Sequence, residues 1–155
     1  MKGCRLLVLW LGLAVGGSPA VVAQENPLGG IQLLPGYKHE PLQGIDSVVG
    51  RIVGPKGLVI QYEIGRIPRG GLAFGGGFVN AAKRAPKNQL RLYREQQVHG
   101  HPVHLAYLKD GTLIVTFPRS IPGKGINFRT KVTRPEQMAE VLLMLLGFPQ
   151  GAPVK

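Results

Sequence analysis

Three of the four histidines in the chain fall within six residues, at His99, His101 and His104. Neutral imidazoles are ligands for zinc and copper, so a His-x-His-x-x-His run invites a metal site. On an extended strand His99 and His101 share one face and His104 points to the other. Gly100 and Pro102 would have to bend the chain to bring all three together. No carboxylate lies within three residues on either side of the run, and the plainer reading is a polar hairpin turn. His39, next to Glu40, joins the group only through tertiary contact.

Other patterns carry less chemistry. The stretch Gly70-Gly71-Leu72-Ala73-Phe74-Gly75-Gly76-Gly77 is glycine-rich, but a phosphate loop needs Gly-Lys-Ser/Thr opening a helix. Here Phe78 follows Gly77. Ser47 and Ser120 lack a Gly-x-Ser-x-Gly setting. Asp46 and Asp110 are the only aspartates, and Gly44-Ile45-Asp46-Ser47 and Lys109-Asp110-Gly111 both read as turns. Lys83, Arg84, Lys87, Arg91 and Arg94 form the densest basic run, a candidate surface for an anionic partner. Tyr93 alone interleaves it, so base stacking is poorly supported and nucleic acid is not the expected partner.

The whole chain is basic. Its 155 residues hold 19 Lys and Arg against 8 Asp and Glu, a net charge of +11. Gly and Pro together supply 36 residues, which calls for long loops, while the hydrophobic fraction of 44% suffices for a core. Residues 1–23 have the layout of a secretory signal peptide: Lys2 and Arg5, an apolar run from Leu6 to Val15, then Pro19 and a Val-Val-Ala cleavage site. The run is shorter than the roughly 20 residues a spanning helix needs. Cleavage after Ala23 leaves 132 residues with 17 cations and 8 acids, a net charge of +9, and removes the single Cys4. Disulfides and thiolate sites are then excluded. The partners expected for such a protein are anionic envelope components or another protein.

The elements that would position these groups are mostly strands. Val48–Val53 and Leu58–Ile64 flank Gly54-Pro55-Lys56-Gly57 as a hairpin. Gln89–Val98 and Val103–Leu108 flank the histidine turn. Val103–Leu108 and Thr112–Phe117 flank an Asp-Gly turn, the strongest short hairpin cue. Ile126–Val132 alternates, with Ile126, Phe128, Thr130 and Val132 facing in and Asn127, Arg129 and Lys131 facing out. Ile31–Leu34 suggests a short edge strand. Residues 65–88 and 118–125 read as loops, and Tyr37–Ser47 shows no clean period. Thr133-Arg134-Pro135-Glu136 reads as a capping box before a helix over Gln137–Leu146, with Gly147 as its C′ residue. The expectation is an α+β domain over 24–155, an antiparallel sheet of five to six strands covered by one C-terminal helix.

The strings Leu34-Pro35-Gly36-Tyr37-Lys38, Gly44-Ile45-Asp46-Ser47, Gly57–Gly65, Val115-Thr116-Phe117-Pro118 and Leu142–Leu146 resemble those of a group of small exported bacterial hypothetical proteins. The resemblance implies a periplasmic or secreted bacterial protein and carries over no activity, cofactor or catalytic residue. The residues are therefore read as a non-enzymatic exported domain with no cofactor, which binds an anionic envelope component or a protein partner. The alternative is a small metal-dependent enzyme or metal-binding protein built on His99, His101 and His104.

Overall fold

The computed structural model describes residue 28 and residues 31–67 and 77–148. The leader read at 1–23 and the glycines at 70–76 lie outside the described residues. Period-two alternation becomes seven strands: β1 (Lys38–Leu42), β2 (Val48–Val53), β3 (Val59–Arg66), β4 (Leu90–Val98), β5 (His101–Leu108), β6 (Thr112–Ile121) and β7 (Lys124–Lys131). One helix, α1 (Pro135–Leu146), follows. All strand pairs are antiparallel, in the order β1-β2-β3-β7-β6-β5-β4. Two meanders, β1–β3 and β4–β7, thus join where β3 pairs with β7. No helix among the described residues is long and apolar enough to cross a membrane.

The sheet is larger than the five to six strands expected. β1 was hidden because Lys38-His39-Glu40-Pro41-Leu42 carries no apolar alternation. It is an edge strand, where a proline removes no needed ladder bond. Ile31–Leu34 forms no strand, although Ile31 is buried in the core. The loop expected at 118–125 is instead the end of β6, a Pro122-Gly123 turn and the start of β7. Pro118 sits in the irregular stretch between Phe117 and Ile121, where the register shifts. The far edge, β4, also carries a register shift, between Leu90 and Leu92, and exposes Arg91, Arg94 and Glu95. Bulges and charges of this kind discourage edge-to-edge aggregation.

Turn chemistry sets the hairpins. In the β5–β6 turn Asp110 Oδ1 accepts from the Thr112 backbone N–H at 2.9 Å, and Oδ2 accepts from Thr112 Oγ1 at 2.9 Å. The backbone bond, then the hydroxyl bond, hold the Asp110 carboxyl below its usual range, and Lys131 adds to the effect. A carboxylate with a depressed native pKa stabilises the fold above its unfolded value, near 4, and that contribution is lost as the pH falls through the native value. Asp110→Asn is therefore expected to lose less stability than wild type on acidification below about pH 4. Urea melts across that range measure it, and parallel acid limbs would contradict it.

The helix-side face of the sheet holds the main core. Ile52, Ile60, Tyr62, Val115 and Ile126 pack there with Val141, Met144 and Leu145 of α1. Phe117, Phe128 and Phe148 meet edge to face, with centroids 5.3–6.2 Å apart, a favoured aromatic geometry. The helix begins two residues earlier than its periodicity predicts, with Pro135 at its first turn and Arg134 as N-cap. Thr133 makes no cap bond to the helix backbone. Its N–H and hydroxyl both donate to Gln137 Oε1, at 3.1 and 3.0 Å. Gly147 remains right-handed, with φ −70°, and the Phe148 N–H donates to the Leu145 carbonyl. The chain makes one more turn and drops Phe148 into the core. Leu143 stands exposed on the outer side of the helix.

The opposite face is partly covered by residues 77–86, which lead across the sheet to its far edge at β4. β3 runs on through Gly65 and Arg66, past the expected strand end. Gly65 pairs with Gly125, and Phe78 lies directly on that pair. A methyl group on Gly125 would strike the Phe78 ring. Beyond Phe78, Ala82 and Ala85 pack on Ala106, Leu108 and Ile114 in a second, smaller core. Asn127 clamps the crossing: Oδ1 accepts from the Ala81 N–H (3.1 Å) and from Thr116 Oγ1 (2.8 Å), and Nδ2 donates to the Val79 carbonyl (2.8 Å). Thr116 Oγ1 also accepts from the Ala82 N–H at 3.2 Å. Asn127, expected to face outward, is buried for this reason.

Candidate functional site

The histidine run does not converge. His99 and Gly100 both adopt positive φ, 51° and 78°, the pattern of a two-residue type I′ hairpin turn. His99 is therefore spent on the β4–β5 turn. His101 pairs with Val98 and is buried, 2% exposed, whereas His104, three residues on, pairs with Glu95 and Thr116 on the opposite face. Among the described residues no group of three His, Cys, Asp or Glu side chains is placed to hold a metal ion. His39 lies elsewhere, its Nε2 2.7 Å from the Tyr62 hydroxyl. Tyr62 has room to reach it because its ring lies over Gly50.

His104 belongs to a small polar cluster. Tyr93 Oη donates to Glu95 Oε1 at 2.5 Å, and His104 Nδ1 lies 3.0 Å from Tyr93 Oη and 3.4 Å from Glu95 Oε1. Burial, then the neighbouring Glu95, push the Tyr93 phenol up to about 12. The bond from Tyr93 holds Glu95 below its usual range, helped by His104 and Lys83. Tyr93 is thus a neutral donor and a poor nucleophile at neutral pH. The cluster ties β4 to β5.

The basic run is divided by the fold. Lys83 and Arg84 are exposed on the crossing connection, and Lys87 opens the short 3-10 turn Lys87–Gln89. Arg91 lies instead against the Tyr107 ring, 5.9 Å from its centroid, and Tyr107 packs against the helix-side core. Arg94 pairs with Leu105, which packs on that same core. Five neighbours in sequence therefore do not make one patch.

A different pair of cations is better placed. Alternation along β7 turns Asn127, Arg129 and Lys131 to the face crossed by the connection. The crossing buries Asn127 and leaves Arg129 and Lys131 exposed. Gln61 of β3 is opposite Arg129, and Thr112 of β6 is opposite Lys131. With Val59 and Thr130 they line an open hollow of about 250 Å³. The ion pairs among the described residues are Arg51–Glu40 at 2.7 Å and His104–Glu95 at 3.4 Å, so neither Arg129 nor Lys131 is in one. The acids on this side are Glu40, Glu63, Glu95 and Asp110. Glu40 is held by Arg51, Glu95 by Tyr93 and Asp110 by Thr112. Lys83 and Arg84 stand on the same side, so with Arg51, Arg129 and Lys131 the cations of this face outnumber its acids. The outward alternation of Arg129 and Lys131 was legible in sequence, but their lack of an ion-pair partner among the described residues was not.

Fold and site together define an α+β protein built on one seven-stranded antiparallel sheet, with a helix on one face and a half-open basic surface on the other. Compared with family models, curated proteins and solved structures, the chain matches none of them.

Proposed function

We propose that this is an exported, non-enzymatic binding domain whose ligand is an anionic component of the cell envelope. The observation that carries the reading is the Arg129–Lys131 pair beside an open hollow, with Gln61 as a neutral hydrogen-bonding neighbour. Arginine presents a planar fork suited to carboxylate and phosphate, and lysine adds a point charge. The net charge of +11 supports attraction of such a ligand over longer range. The leader pattern at 1–23 supports export. The test is a titration of the purified protein with polyphosphate and with polyglutamate at low and high salt. Saturable binding to either polymer that weakens as salt rises is expected, because exposed charges are screened. Absence of binding to both at low salt overturns the reading.

A further inference from the structure

The end of the sheet away from the basic hollow has a different character. There the β1–β2 hairpin projects with Leu42, Ile45 and Val48 exposed, Ile45 completely so. These are three of the six large hydrophobic side chains exposed among the described residues, and they fall within seven consecutive positions. Scattered exposed apolar residues need no explanation, but a cluster does. The tip is a built feature. A Cβ on Gly44 would collide with the Ser47 carbonyl, so glycine permits the tight loop that holds Ile45 at the apex.

Two properties of this tip identify its occupant. First, its apolar groups point in different directions. Leu42 pairs with Val49 and Val48 pairs with Ile64, which puts Leu42 and Val48 on opposite faces of the hairpin, with Ile45 between them at the apex. A protein partner docking on one face would leave the other side wet, whereas a bilayer surrounds an inserted wedge. Second, cations stand at the same end of the sheet, two residues beyond the partner of Val48. Arg66, at the end of β3, is directly opposite Lys124, at the start of β7. Like charges in directly opposed positions repel, and neither is in an ion pair among the described residues. Arg119 is exposed near the end of β6, two residues before Ile121, which pairs with Lys124. Asp46, next to Ile45, is the acid within the loop itself.

We propose that this end of the molecule is a peripheral contact with an anionic lipid bilayer. Leu42, Ile45 and Val48 enter the interfacial region, and Arg66, Arg119 and Lys124 lie at the level of the phosphodiester groups. Shallow apolar insertion combined with basic residues is the two-part arrangement that reversible membrane binding requires. The surface is separate from the Arg129–Lys131 face, so either can fail without the other.

The test uses the full chain with vesicles of phosphatidylcholine alone and of phosphatidylcholine mixed with phosphatidylglycerol. Ile45→Trp is read against the unsubstituted chain, whose one tryptophan is Trp10, and against Leu143→Trp on the exposed side of α1. The expected result is a blue shift of the Ile45→Trp emission on anionic vesicles and quenching by brominated acyl chains, with no such response at Leu143→Trp. Ile45→Asp is expected to weaken vesicle binding by about tenfold and to leave the melting temperature unchanged, because the side chain packs against nothing. Failure to bind anionic vesicles, or quenching at Leu143→Trp and not at Ile45→Trp, overturns the proposal. So does vesicle binding that Arg129→Glu/Lys131→Glu abolishes and Ile45→Asp leaves intact.

Discussion

Phe128→Ala is expected to destabilise the protein by about 3–5 kcal/mol, the range for removing a buried phenylalanine. Phe128 is fully buried at the centre of the sheet. Its ring is 6.1 Å from Phe117, 6.2 Å from Phe148 and 6.4 Å from Tyr62. The cavity would open where β7, β6 and the residue closing α1 meet, and backbone hydrogen bonds to both neighbouring strands resist collapse of β7 into it. Domains of this size are stable by about 5–15 kcal/mol, so the variant is expected to approach the folding threshold. Its melting temperature should fall by more than about 10 °C. Leu143→Ala, on the exposed side of the helix, should change stability by less than about 0.5 kcal/mol. Equilibrium urea denaturation of the two variants compares them. A loss below about 1 kcal/mol for Phe128→Ala would mean that the three rings do not pack as described.

Strand alternation was legible in the sequence wherever one face is buried and the turn residues are distinctive. The Gly54–Gly57 and Lys109–Gly111 hairpins and the inward set Ile126, Phe128, Thr130 and Val132 are cases of this. β1 was not legible, because an edge strand needs no apolar stripe to be held: its five residues pair with β2 alone. Gly65 and Gly125 read as loop residues, since glycine is disfavoured inside strands. Their reason is tertiary. Phe78, distant from both in sequence, needs the floor that two side-chain-free positions provide.

Alternation also shows which residues share a side, but not which sides are covered. Asn127 therefore read as outward beside Arg129 and Lys131. Only the crossing of 77–86, whose backbone is satisfied by the distant side chains Asn127 and Thr116, separates a buried clamp from two exposed cations. The fold divides the basic run between two faces for a related reason. The shifted register of β4 and the pairing of Arg94 with Leu105 send its second half to the helix side. The histidines followed their own strand geometry, with His101 and His104 on opposite faces and His99 consumed by the turn.

The central claim is that the open face around Arg129 and Lys131 binds an anionic ligand, and one comparison tests it most directly. Polyphosphate affinity at low salt is measured by calorimetry for wild type, for Arg129→Glu/Lys131→Glu and for Arg91→Glu/Arg94→Glu. Both variants change the net charge by the same amount, so any long-range effect is common to them. Both alter exposed positions, so the fold should tolerate them; circular dichroism melts check this. The first variant places two carboxylates at the rim of the hollow, beside Glu63 and Asp110. It is expected to lose at least about tenfold in affinity relative to the second, a difference of about 1.4 kcal/mol. The account predicts that gap and its shrinkage at high salt. Equal losses from the two variants would show that net charge alone attracts the polymer and would contradict a site on this face.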